Sequence, residues 1–257
     1  MMLFWNTDVA IDIGPETSHV FVRGRGIAFS GRTEDLRASS GETSLSDMVS
    51  ACLERAGIRR GWFRPAIRVV LTCRLCAGDA EKRMVEDAAR SAGAKAVFLI
   101  DLPMACAIGA GLPISEPRGS MIINIRGGEC ELAVISLAGT VASRSLCSNV
   151  TTGAAKGAEP MLERGDPVPR EMIAGAIKDI LAECGAKGLK NLVSDVLDGG
   201  AVVAGDDGAD ESLANWLAEK AGLPVRVAHN PVTAAVEGAG VVLKELDFLA
   251  MSLRAKT

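Results

Sequence analysis

The chain has no tyrosine, little other aromatic content and only two histidines. The histidines, His19 and His229, have no neighbouring ligand set, so a histidine-built metal centre is not expected. No apolar run approaches the ~20 residues of a membrane-spanning helix. The N-terminus lacks the basic region and long apolar stretch of a secretory signal. A strong charge of either sign is also missing. The net charge of −4 argues against a nucleic-acid binder on bulk electrostatics. The seven cysteines are odd in number and mostly sit in apolar runs, so reduced cytoplasmic thiols are the expected state. Cys73-Arg74-Leu75-Cys76 is a lone C-x-x-C without a second pair and reads as structural.

What the chain does have is internal symmetry. Residues 97–111 read VFLIDLPMACAIGAG and residues 225–240 read VRVAHNPVTAAVEGAG. Each is an apolar strand, a polar break, a proline and a small-residue helix ending in Gly-Ala-Gly. Residues 9–29 and 121–142 are likewise paired, with Asp12-Ile13-Gly14 falling on Asn124-Ile125-Arg126. Alternating apolar residues and tight glycine turns predict a strand meander in each. Buried strands at Ile67–Leu71 and Ala201–Ala204 follow, then helices at Asp79–Ala92 and Glu211–Ala221 that stop at Gly93 and Gly222. The period is too long for a solenoid, and 257 residues can bury a substantial core. The expected fold is α/β, two duplicated βββαβα lobes facing each other across a cleft.

The stretch from SAGAKAVFLIDLPMACAIGAG through MIINIRGGECELAVISLAGTVASRS resembles the centre of MreB, the bacterial actin. The resemblance extends over IDIGPETSHVFVRGRGIAF, EKRMVEDAARSAGA and AGLPVRVAHNPVTAAVEGAGVVL, and so over most of the chain. It implies an actin-like fold of the ribonuclease-H-like type. It also implies ATP-dependent, membrane-bound filaments that organise rod-shaped wall growth. Two gaps stand out. The family's outer subdomains are replaced by linkers at 31–43 and 149–169, rich in Gly, Ser, Thr and Pro. The expected organisation is a first lobe at 1–117, with 241–257 packing back on it, and a second lobe at 118–240.

In actin-type ATPases, glycine hairpins cradle phosphates through backbone N–H groups, carboxylates hold the metal, and a polar residue orients water. By the resemblance, the first loop keeps Asp12 and Gly14, but Pro15 removes an N–H donor and Glu16 adds charge. The second loop departs further, as Asn124-Ile125-Arg126-Gly127-Gly128-Glu129 in place of Asp-Ile-Gly-Gly-Gly-Thr. The third becomes Gly205-Asp206-Asp207, whose carboxylates repel polyphosphate. The family's water-activating Glu is Leu102, which cannot orient or deprotonate water. No catalytic residue, resident metal or cofactor is therefore expected. ATP and Mg are the cofactors only under the alternative reading, a divergent filament ATPase using Asp12, Asp206 or Asp207.

A membrane edge remains. The chain opens Met1-Met2-Leu3-Phe4-Trp5, and a second apolar tip reads Arg60-Gly61-Trp62-Phe63-Arg64. Tryptophan and phenylalanine flanked by arginine suit the headgroup region of an anionic bilayer, although the same residues also suit a sheet edge and core cap. The expected function is a non-catalytic, MreB-like scaffold at the inner face of the cytoplasmic membrane. Its expected partners are itself or a full-length bacterial actin. A soluble, non-polymerising adaptor with the same core is a further alternative.

Overall fold

The computed structural model describes residues 6–37, 43–58, 65–147 and 165–246. Met1–Trp5, Trp62 and Phe63 therefore lie outside the described residues, as does most of the second linker. The first half runs β1 (Thr7–Ile13), β2 (Thr17–Val22), β3 (Gly26–Arg32), α1 (Leu45–Arg55), β4 (Ile67–Cys73), α2 (Asp79–Ser91), β5 (Ala94–Asp101) and α3 (Leu102–Gly109). The second runs β6 (Ser120–Arg126), β7 (Glu129–Ser136), β8 (Gly139–Cys147), α4 (Arg170–Ala186), α5 (Lys190–Gly199), β9 (Ala201–Ala204), α6 (Glu211–Ala221), β10 (Val225–Val227) and α7 (Ala234–Val242).

The two halves form five-stranded sheets with matching strand orders, β3-β2-β1-β4-β5 and β8-β7-β6-β9-β10. In each, a three-stranded antiparallel meander continues into two parallel strands. The duplicated pairing even matches in register: Asp12 lies opposite His19, and Asn124 lies opposite Glu131. The proline segment contributes a strand and a helix of its own. Each half is thus βββαβαβα, one strand–helix step longer than the sequence pattern suggests, with α5 as an extra helix in the second.

Strands that alternate apolar residues on both faces need cover on both faces. On the outer side, α1 and α2 pack on the first sheet around Met48, Val49, Cys52, Val85 and Ala89. On the second, α4 and α6 pack around Ile173, Ile177, Ile180 and Leu217. Between the sheets lie α3 and α7, and they are exchanged. α3, from the first half, brings Leu102, Cys106 and Ala107 onto Ile122, Ala133 and Val202 of the second sheet. α7, from the second half, brings Val236 and Ala239 onto Ala10 and Val70 of the first, and Leu243 and Leu246 extend this contact. Fully burying each Leu, Ile or Val contributes about 1.5–3 kcal/mol, so the exchange ties the lobes through shared core.

The two helices cross at their glycines. A Cβ on Gly109 would sit 1.9 Å from the Ala234 carbonyl oxygen, and one on Gly238 would sit 1.9 Å from that of Ala105. The first glycine of each Gly-Ala-Gly is thereby explained by a close helix crossing. The start of the first linker is also built. Gly31 and Arg32 belong to β3, and Thr33–Leu36 form a 3₁₀ turn with Thr33 and Leu36 buried. Helix α1 starts at a capping box in which Ser44 accepts from the Asp47 amide and Asp47 accepts from the Ser44 amide.

Candidate functional site: a closed interlobe cleft

The loops after β1, β6 and β9 meet where the lobes face each other. Asp12 ends β1 and is 1% exposed. The Arg126 guanidinium reaches it from the end of β6, with Nη1 at 2.9 Å from Oδ1 and 2.8 Å from Oδ2. Thr72 of β4 donates its hydroxyl to Asp12 Oδ1 at 2.5 Å. Burial alone would raise the Asp12 pKa, but Arg126 and the Thr72 hydrogen bond outweigh it and hold the carboxyl below its ordinary value. The same carboxylate keeps Arg126 charged despite its own burial. An ion pair thus fills the junction, with its members 114 residues apart in sequence.

Three further polar contacts cross the cleft. The Thr17 hydroxyl donates to Asp206 at 2.9 and 3.0 Å. It also sits 2.9 Å from His19 Nε2, and His19 Nδ1 lies 2.9 Å from the Ser30 hydroxyl. With Thr17 donating to Asp206, His19 Nε2 donates to Thr17 and Nδ1 accepts from Ser30. Burial lowers the His19 pKa, and burial raises that of Asp206 against the opposing pull of Thr17 and Arg126. Arg74 bridges Glu81 at 2.9 Å and Glu129 across the cleft at 2.6 Å. The Leu75 amide donates to Glu131 Oε1 at 2.7 Å. Glu131 Oε2 is buried without a hydrogen-bond partner. Burial pushes its pKa up to about 7, with the Leu75 N–H and Arg126 only partly opposing.

Three loop amides are committed within the protein. Gly14 N–H donates to the Thr17 carbonyl, Gly205 N–H to Pro231 and Asp207 N–H to Ile125. The Gly127 carbonyl accepts from Gly165 N–H at 2.8 Å. Gly127 has φ +60°, and a Cβ there would lie 2.4 Å from Pro15 Cγ, so the first two loops touch each other. Asn124 Oδ1 accepts from the Cys106 thiol at 3.4 Å. Leu102 is 2% exposed, inside the apolar cluster under the second sheet.

These residues do not fit the nucleotide and metal that the resemblance implies. A phosphate cradle needs outward backbone N–H groups and a carboxylate free to take a cation. Here the named amides are paired, both Asp12 oxygens are engaged, and Arg126 lies between the hairpins. Among the described residues, no cluster of three or more His, Cys, Asp or Glu could hold a metal ion. Cys73 is buried, with its thiol pushed up to about 11 chiefly by burial, while Cys76 is exposed. A thiol shifted that way stays protonated at neutral pH, which fits a structural role for this C-x-x-C. His229 lies in an exposed bend.

Of the residues singled out in sequence, the structure brings together Asp12, Gly14, Pro15, Arg126, Gly127, Asn124, Glu129, Gly205 and Asp206. Gly128 packs on the 165–166 backbone instead, where a Cβ would lie 2.5 Å from the Gly165 carbonyl carbon. Asp207 contributes its amide to the Ile125 carbonyl. Sequence reasoning missed Thr17, Thr72, Arg74 and Glu131. Glu131 carried a readable signal, a carboxylate within the apolar run of β7.

Two duplicated mixed sheets with exchanged inner helices and three loops converging on one cleft define an actin-like protein. The chain belongs to the MreB/Mbl family, whose model matches residues 41–152 and 167–251. It is 30% identical to the cell shape-determining protein MreB of Escherichia coli (strain K12) over 240 aligned positions, covering 72% of this chain and 68% of that protein. Those positions outnumber the matched residues here, so the relative carries stretches with no counterpart in this chain. Among solved structures, MreB5 of Spiroplasma citri bound to AMPPNP has a TM-score of 0.69 at 16% identity, covering 96% of this chain and 98% of that one. A MamK double helical filament has a TM-score of 0.66 at 13% identity, covering 94% and 99%. Both likenesses concern the fold.

Proposed function

We propose that this chain is a non-catalytic scaffold of the MreB family. It assembles with itself or with a full-length bacterial actin, at the inner face of the cytoplasmic membrane. The observation that carries the reading is the buried Asp12–Arg126 pair, which joins the lobes where a nucleotide's phosphates would have to lie. A tethered guanidinium supplies the positive charge, and a carboxylate of the opposite lobe receives it. Lobe closure is then a property of the chain itself, and assembly follows concentration and membrane recruitment.

Membership of a family of cell shape-determining proteins and the filament formed by MamK support self-association. Among the described residues, no helix is long and apolar enough to cross a membrane, so attachment would rest on the sequence segments Met1–Trp5 and Trp62-Phe63. The test is light scattering against protein concentration, with and without Mg-ATP, on free protein and on liposomes. The reading expects one critical concentration whatever the nucleotide, lowered by liposomes. It also expects W62S/F63S to lose liposome pelleting with its circular dichroism unchanged. A critical concentration that moves with ATP, or unchanged pelleting of the double variant, contradicts it.

A further inference from the structure

The seam between the lobes holds a buried carboxylate that the ion pairs around it do not neutralise. Glu131 sits in β7 of the second lobe and is 1% exposed. Ala133 and Ile135 share its face of the strand and pack in the inner cluster with Cys106 of α3, so Glu131 lies on the interlobe side. A first-lobe turn, closed by the Ala77 N–H on the Arg74 carbonyl at 3.1 Å, grips β7 twice. Arg74 holds Glu129 at 2.6 Å, and the Leu75 N–H donates to Glu131 Oε1 at 2.7 Å. Glu131 Oε2 is left without a hydrogen-bond partner.

A charge on this carboxylate has little to balance it. The cations whose fields reach it are Arg126 and Arg74. Arg126 is committed to both oxygens of Asp12, and Arg74 to Glu81 and Glu129. Glu129, two residues away on the same side of the strand, repels it. The thiols of Cys73, Cys106 and Cys130 lie within its field, and burial keeps all three protonated. Asn124 and Ser145, its partners in β6 and β8, carry no charge. Withdrawal of the Arg74–Ala77 turn is the step that lets water reach the carboxylate.

We propose that the Glu131–Leu75 contact is a proton-controlled latch between the lobes, shut while Glu131 carries a proton and released when it ionises. The latch is independent of assembly and of the membrane. Burial holds the Glu131 pKa at about 7 in the shut state, and hydration of the open carboxylate returns it toward its ordinary 4.5. Linkage between those two values loosens the latch about ten-fold from pH 6 to pH 8.

Amide exchange of the full chain, followed by NMR and divided into the unstructured-chain rate at each pH, reads the latch at the Leu75 N–H. Leu75 protection is expected to fall about ten-fold from pH 6 to pH 8. In E131Q, which keeps the Oε1 acceptor and cannot ionise, it is expected to stay flat. Leu75 is also expected to exchange faster than Ile123, fully buried in β6, at both pH values, because the latch opens without unfolding. A carbon-detected titration of the Glu131 carboxyl in the parent, which needs no variant, is expected to show a midpoint near 7. Leu75 protection that does not change with pH, an equal fall in E131Q, or a carboxyl midpoint near 4.5 overturns the proposal. Leu75 protection equal to that of Ile123 overturns it too, since the contact then breaks only with the whole fold.

Discussion

Removing Arg126 leaves a buried carboxylate without its counter-charge. In R126A, Asp12 keeps the Thr72 hydroxyl but loses its counter-charge, in a site where the parent carboxylate is 1% exposed. Breaking a buried ion pair from one side typically costs about 3–5 kcal/mol. The Arg126 side chain is 12% exposed, so water reaches part of the vacated space and the lower end, about 3 kcal/mol, applies. For a chain of this size that corresponds to a melting temperature lower by about 6–12 °C. The assay is urea unfolding from pH 4 to pH 8. In the parent, the depressed Asp12 pKa adds stability above the unfolded value of 3.8 and loses it as pH falls through the folded value. In R126A burial is no longer opposed by the guanidinium, so the Asp12 pKa rises above the unfolded value and the variant's deficit shrinks on acidification. D12N/R126M, which removes both charges, is expected to regain most of the loss. A deficit under about 1 kcal/mol at neutral pH, or one that does not change with pH, refutes the view that this pair holds the lobes together.

Glu131 has the opposite sign. Its folded pKa, raised from 4.5 to about 7, makes the protein most stable below the unfolded value and less stable as pH rises through 7. E131Q keeps the acceptor for Leu75 N–H and is expected to gain about 3 kcal/mol relative to the parent as pH rises from 4 to 8, read by urea unfolding. G238A places a methyl 1.9 Å from the Ala105 carbonyl oxygen and is expected to cost about 3 kcal/mol or more, read by thermal melting. The β7–β8 turn puts Leu137 and Ala138 at φ 50° and 57°, a left-handed pair that favours Asn-Gly. L137N/A138G is expected to stabilise the protein by about 1–2 kcal/mol in the same melts, since Leu137 is 67% exposed and surrenders little burial.

Much of the fold was legible because it is written twice. The meanders, the glycine stops at Gly93 and Gly222 and the paired proline segments all carry local signals, and both stops have positive φ in the structure. Helix α5 was not read because only Val196 is buried along it, which leaves too thin an apolar stripe. At the cleft, the identities of Asp12, Pro15, Arg126 and Leu102 were visible, together with the chemistry they lack. Their pairing was not, since Asp12 and Arg126 meet only after two lobes have folded and faced each other. The exchange of α3 and α7 was hidden for a related reason. Small-residue helices with apolar faces do not say which sheet they cover.

The central claim is that this cleft closes on itself without nucleotide. Calorimetric titration of Mg-ATP into the purified chain, paired with a thermal melt in the same buffer, addresses it most directly. The account predicts no binding heat and no shift in melting temperature at millimolar ATP. Saturable heat with a matching stabilisation would contradict it, because ATP could bind only by separating Arg126 from Asp12.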